Sequence, residues 1–429
     1  MNPIGSISVV ERDDIKSSLA PFCIARDYKV QYPEVVKIAL GELYVEYNAA
    51  FKPLVAANHE WESDYRFVIG QDCNPLNFAV QIDMVGLSDE FLQRVVGMPE
   101  AEVRETFRRS IFELENSIAM YQTLERLFAK GGESGFKTGW RAALDDLRRR
   151  FGKPIALLAV TDQKHAAMMT SEFGKDPGEL MANEEVLELS GFDKFFSPEE
   201  FQQHMTVNGG ECKYLLFVRA SDPITKLKKP DETVESPLIA NPLTRQLIKK
   251  NALTFNIDNP SWSIGDAHRR INDTKWYMPT LGMAFPIGAE TDLFYPEGNH
   301  RLSEQFSAFL NSVGVNPGEI ESGRQALRFK PAQGTYGCYG HLRGPITDGV
   351  LRSKLRRELR RRGPYMVQPE LEASVIGDKY TFIDRVFYAY IKDKPTFVGG
   401  FRSLLPLDSP EAKSGRNHGS KFTILAEIF

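Results

Sequence analysis

The residues most able to do chemistry stand in one stretch, RFKPAQGTYGCYGHLRG, at positions 328–344. Lys330 sits on an apolar run, and Gly334, Thr335, Tyr336 and Gly337 follow closely. Glycines let backbone N–H groups approach an anion, and a neighbouring lysine adds a point charge. The chemistry suggested is the cradling of a phosphate or a carboxylate. A plain hairpin, in which Gly334, Gly337 and Gly340 only supply positive φ, reads the same letters equally well. The elements around the stretch have to decide.

Upstream, VVKIALGELYVEYNAAFKPLV has the apolar rhythm of a helix within 30–60. DYRFVIGQDCNPLNFAVQIDMVG reads as two strands about an Asp-Cys-Asn-Pro turn. From Ser88 to Lys130 the pattern is helical, with Pro99 starting a new helix after a break. GWRAALDDLRRRFGK, PIALLAV and TDQKHAAMMTSEFG alternate as helix, strand, helix, the order of an α/β layer, and KYLLFVRA supplies a second strand of the same kind. NPLTRQLIKKNAL reads as a helix, and HRLSEQFSAFLNSVGVNPGE as another that stops near Gly314. Beyond 320 the chain is strand-rich: ALRFKPA, YMVQPELEA, the hairpin DKYTFIDRVFYAYIKDKPTFVGGFRSL, and KFTILAEIF. One basic helix, DGVLRSKLRRELRRRG, interrupts them. Its Val350, Leu351, Leu355 and Leu359 recur at helical spacing, so it docks one face and leaves its arginines to solvent. No aromatic residues interleave with those charges as a nucleic-acid stacking platform requires.

Composition narrows the class. With 429 residues, 42% apolar and 26% charged, the chain has the make-up of a globular protein of two or three domains. A net charge of −4 gives no global field for nucleic acid or membrane. The four cysteines, Cys23, Cys73, Cys212 and Cys338, lie far apart, which fits a reducing compartment better than a disulfide framework or a metal cluster. The opening MNPIGSISVVERDD lacks the apolar core of a signal peptide, and no run approaches the length of a membrane span, so a cytoplasmic protein is expected.

The order strand with Lys330, glycine turn, helix, YMVQPEL, hairpin resembles the ATP-grasp superfamily, ligases that clamp ATP between two α+β subdomains. KPAQGTYG and FIDRVFYAY…VGGFRS…GRNHGSKF are most similar to the bacterial ATP-grasp glutamate–cysteine ligases and the glutathionylspermidine-synthase-like proteins. The resemblance implies an α+β fold in three parts: a mixed strand and helix region over 1–150, an α/β pre-ATP-grasp-like domain over 151–300 and the nucleotide-binding domain over 301–429. It implies that Lys330 neutralises ATP phosphates, that Gly334, Thr335, Tyr336 and Gly337 lie over them, and that Lys250 is a first ATP lysine. Glu370 and the backbone of Gln368 and Leu371 become the adenine and ribose hinge, although Pro369 stands where the family often has an acid. Arg385 and Arg402 occupy neighbouring hairpin strands, and one of them faces the transferring phosphoryl group.

Most members of the superfamily end in a Glu-x-Asn pair that holds magnesium, and here the chain stops at Phe429 without one. Asn417 is one late candidate, with Glu427 a poorer one. In permuted relatives an early strand carries the acid-x-Asn pair, and the corresponding residues here are Gln81 and Asp83. The permuted reading requires Asp83 to share a cavity with Asn417 and Arg402, across the cleft from Lys330. An ordinary half-exposed strand reads equally well. The activity implied is ATP-dependent joining of a small-molecule carboxylate to an amine through an acyl phosphate, with ATP and Mg2+ as cofactors. A non-catalytic scaffold and a small-molecule kinase on the same clamp stay open beside it.

Overall fold

The structure, a computed structural model, describes residues 9–10, 23–25, 28–56, 79–115, 135–160, 191–196, 198–220, 281–295, 301–331, 341–371, 374–392, 394–409, 412 and 423–429. Its centre is the hairpin that the aromatic and β-branched run after 378 foretells. Strands β13 (Tyr380–Ile391) and β14 (Lys394–Pro406) pair antiparallel, and every residue from 381 to 390 is buried. Burial of successive residues means that both faces of the sheet are covered.

Five more strands extend this hairpin in order. On one side lie β3 (Ala79–Val85) and then β4 (Ile111–Glu115). On the other lie β15 (Ile424–Ile428), β2 (Cys23–Ala25) and β1 (Val9–Val10). An eighth strand, β12 (Ser374–Ile376), pairs with the first residues of β13, leaving the rest of that edge to β3. All these pairings are antiparallel except β15 with β2, which is parallel. Between β13 and β14 the register shifts at Phe387/Tyr388. There Gly399 takes φ 122°, and a Cβ on Gly400 would sit 2.4 Å from the Arg385 carbonyl oxygen. The Gly-Gly pair is thus required by close backbone approach at an irregular strand pairing.

Helix α1 (Glu34–Ala56) covers one face of this sheet. Its Val36, Ala39, Leu40, Leu43, Tyr44 and Tyr47 recur at three- and four-residue spacing and pack against Ile82, Met84, Val386, Tyr388 and Ile428. Each fully buried aliphatic side chain there contributes roughly 1.5–3 kcal/mol. Two further helices, α2 (Asp89–Arg94) and α3 (Glu100–Ser110), complete that layer. Pro99 directly precedes α3, as expected, but the helical pattern does not run on to Lys130. Residues 111–115 are strand, because pairing with β3 and burial of Ile111 and Leu114 outweigh the local helical period.

A second, four-stranded antiparallel sheet has the order β10 (Leu342–Gly344), β9 (Leu327–Pro331), β11 (Tyr365–Pro369), β8 (Phe285–Ile287). Leu327, Phe329, Tyr365 and Val367 form one face and pack on α6 (Glu304–Ser312), α7 (Pro317–Glu321) and α8 (Gly349–Arg362). In the basic helix α8, Leu351, Leu355 and Leu359 are buried as expected, whereas Val350 is 62% exposed and belongs to the solvent side. The third sheet is parallel, β6 (Lys194–Phe196), β5 (Ile155–Val160), β7 (Leu215–Ala220), with α4 (Gly135–Phe151) before β5 and α5 (Pro198–Val207) between β6 and β7. This is an α/β layer, as expected of GWRAALDDLRRRFGK and PIALLAV; TDQKHAAMMTSEFG, read as the helix after β5, lies outside the described residues.

The architecture is therefore α+β. The large sheet unites strands from 9–115 with strands from 374–428, and the four-stranded sheet takes β8 from before residue 300. A partition at 150 and 300 does not follow the sheets. Among the described residues no helix is long and apolar enough to cross a membrane.

Candidate functional site

Register decides what each arginine of the hairpin can do. On β13, Asp384 stands opposite Arg402 of β14 and Met84 of β3, whereas Arg385 stands opposite Phe401 and Asp83. Directly opposed residues share a face and neighbours along a strand do not. Arg402 and Asp83 therefore lie on opposite faces of the sheet, which removes the shared cavity that the permuted reading requires of them.

Arg402 is wholly buried, and its guanidinium is engaged on every nitrogen. Nε donates to Asp384 Oδ1 at 2.8 Å, and Nη2 to Asp384 Oδ2 at 2.9 Å and the Leu87 carbonyl at 2.5 Å. Nη1 donates to the Tyr28 hydroxyl at 2.7 Å and to Asp89 at 3.3 Å, and the plane lies 4.1 Å over the Phe382 ring. Tyr32 and the Leu87 N–H also donate to Asp384, at 2.6 and 3.1 Å. Burial alone would lower the arginine's pKa, but the Asp384 charge and its hydrogen bonds more than reverse this. Burial, then Asp384, holds the Tyr32 phenol well above its usual range, and burial pushes Tyr28 up to about 12. All five guanidinium donors are spent inside the protein, so Arg402 is an internal tie and does not face a phosphoryl group.

On the other face, Arg385 Nη2 pairs with Asp83 Oδ2 at 2.9 Å, both side chains being almost completely buried. Its guanidinium lies 5.8 Å from the Phe401 ring centre. Glu427 is also buried and pairs with Lys29 at 2.8 Å. Among the described residues no three metal-type side chains converge. Magnesium demands several oxygen ligands in near-octahedral order, and a single carboxylate already held by a guanidinium does not fit it. Asn417 lies outside the described residues.

The four-stranded sheet gathers the other expected residues. Lys330 on β9 is buried, donates to the Phe112 carbonyl on β4 and stands 5.2 Å over the Phe112 ring. It thus reaches from the smaller sheet to the edge of the larger one. Glu370, the carboxylate expected at a ribose, is held bidentately by Arg328 at 2.6 and 2.8 Å, with Arg343 4.0 Å away. Gln368 and Leu371 line a cavity of about 410 Å³ whose other walls include Arg108 and Arg109 of α3, Met283 and Gln325. That volume is within the range of small-molecule sites. Gly334, Thr335, Tyr336, Gly337 and Lys250 lie outside the described residues.

Sequence reading missed the α3 wall of this cavity. Arg108 donates to the Leu281 carbonyl at 3.1 Å and to Glu46 at 2.5 Å, and Arg109 to Glu105 at 3.3 Å. Nothing in EAEVRETFRRS marks these arginines apart from others on helices, because only the fold brings α3 to β11. No protein-family model matches the chain, and no curated protein matches it.

Proposed function

We propose that this protein is an ATP-dependent carboxylate–amine ligase that binds its nucleotide in the cavity between α3 and the end of β11. The observation that carries the reading is the cavity at Gln368 and Leu371, the positions that the family resemblance marks as a nucleotide hinge. Lys330 is in register with Met366, two residues from Gln368 along β11 and so about 7 Å away along the strand. A base seated in the cavity would direct its phosphates along β11 toward Lys330. Lys330 would then exchange the Phe112 carbonyl for phosphate oxygens, as a mobile point charge can.

In that reaction a carboxylate oxygen attacks the γ-phosphorus and ADP leaves. The amine nitrogen then attacks the acyl carbon, the C–O bond breaks, and phosphate departs with the amide formed. The protein's task is positioning and electrostatic stabilisation. Magnesium enters this reading with the nucleotide, not through the Asp83–Arg385 pair. The bidentate Arg328–Glu370 bridge favours one rival, a nucleotide-free scaffold, because it already occupies the ribose carboxylate.

A single experiment addresses both. ADP release and product mass are measured while pairs of amino acids are screened, with wild type beside Lys330→Ala. Amide plus ADP from wild type, with turnover and ATP affinity lost in the variant while its circular dichroism is unchanged, supports the ligase. A phosphate ester in place of an amide means a kinase, and no ADP with any pair means a scaffold.

A further inference from the structure

The α3 wall carries the charge of the cavity: Glu105, Arg108 and Arg109 line it, two cations to one anion. Arg108 is spent, donating to the Leu281 carbonyl at 3.1 Å and to Glu46 at 2.5 Å. Arg109 is not. Only its Nε is engaged, by Glu105 at 3.3 Å, and both Nη nitrogens are without an acceptor among the described residues. The fork is nevertheless held in place. A Cβ added at Gly314, in the turn that follows α6, would sit 2.6 Å from Arg109 Nη1, so the guanidinium rests against that backbone. Gln325 lines the same cavity, and its side-chain amide makes no bond among the described residues. Leu281, Met283, Val313 and Val315 give the cavity apolar walls. The Arg109 side chain is 47% exposed, so a ligand entering from solvent reaches it.

We propose that Arg109 makes this cavity a site for an oxyanion carried on an apolar body, a carboxylate or a phosphate monoester. A guanidinium presents parallel N–H donors that match two oxygens of either group. Glu105 takes Nε, which leaves the Nη1 and Nη2 edge of the fork for the ligand, and Gln325 adds a neutral donor. Apolar walls with a few placed polar groups are the ordinary make-up of a small-molecule site. This goes beyond the nucleotide reading, because it holds whichever molecule carries the oxyanion, ATP or the carboxylate to be joined.

The test is calorimetric titration of the full chain with benzoate, phenyl phosphate, benzamide (the neutral counterpart of benzoate) and ATP. In wild type at least one of the two small anions should bind roughly 10- to 100-fold more tightly than benzamide, the range for hydrogen bonds to a charged group. Arg109→Met should close that gap through loss of anion affinity. Arg324→Met, which removes an exposed arginine outside the cavity, should leave it open. A preference for phenyl phosphate assigns the site to a phosphate, and a preference for benzoate assigns it to a carboxylate. No preference over benzamide, or a preference that survives Arg109→Met, overturns the inference. Arg109→Gln takes the place of the Met variant if that one does not fold. ATP keeps the two readings apart. ATP binding without anion preference overturns this inference alone, and anion preference without ATP binding overturns the nucleotide reading alone.

Discussion

On β13 two neighbouring residues carry opposite halves of the same kind of pair: Asp384 meets Arg402 on one face, and Arg385 meets Asp83 on the other. The first is tied to Tyr28, Tyr32, Leu87 and Asp89, all far away in the chain, and sits flat on Phe382. The second bridges two adjacent strands at 2.9 Å beside Phe401. Composition and burial are nearly alike, yet the first pair lies within one hairpin and gathers distant segments around it, whereas the second itself joins β13 to β3 from the other end of the chain. An arginine–aspartate pair takes its meaning from what else its remaining atoms reach.

The largest expected effect comes from breaking the first pair. Arg402→Met leaves Asp384 buried without its countercharge, and stability should fall by about 3–5 kcal/mol. A urea unfolding curve checks this, and the double variant Arg402→Met/Asp384→Leu should recover part of the loss because no isolated charge remains. A near-normal midpoint for Arg402→Met would return that arginine to the list of candidates for phosphoryl chemistry. The next effect is smaller. Asp83→Asn keeps the shape and an acceptor for Arg385, so about 2 kcal/mol is expected. Losses equal to those of Arg402→Met would erase the distinction between the two faces.

The smallest effect at neutral pH concerns Tyr32. Tyr32→Phe removes one of the donors to Asp384 and should cost about 1 kcal/mol. Its sharper signature is at high pH. The folded phenols of Tyr32 and Tyr28 are held above the ordinary value of 10.0, so they stay protonated where the unfolded chain ionises. Their contribution is full below about pH 10 and is lost as pH climbs toward the folded values, since the folded state then binds more protons than the unfolded. Unfolding midpoints measured from pH 8 to 11 should fall steeply above 10, and less steeply in Tyr32→Phe. Identical slopes would show that the buried cluster does not govern alkaline stability.

Much of this arrangement is readable from the residues. The run YTFIDRVFYAYI reads as a hairpin strand, and PIALLAV with KYLLFVRA reads as strands of an α/β layer. Ile111–Glu115 was hidden, because EAEVRETFRRSIFELENSIAM keeps a helical period and only β3 converts its middle to strand. The two arginines of the hairpin were placed on the right strands, but their faces depend on the register, which the Gly-Gly irregularity shifts. Gln368 stands at the expected hinge only through the resemblance of YMVQPELEA, from which Pro369 departs. Its side-chain bond to the Met283 carbonyl, 85 positions away, depends on the fold alone.

One connection of the large sheet has a consequence for how the chain folds. Strand β15 lies between β14 and β2, and Lys29 meets Glu427 across 398 positions of sequence. Backbone bonds from Val30 to Glu427 and from Phe429 to Val30 close the same seam. During synthesis β2 therefore waits, unpaired on that edge, until β15 has been made. Contacts of such long sequence separation form slowly, and an unpaired edge invites wrong partners meanwhile. The seam is thus a late lock, and the yield of folded protein should depend more on β15 than on any helix made before it.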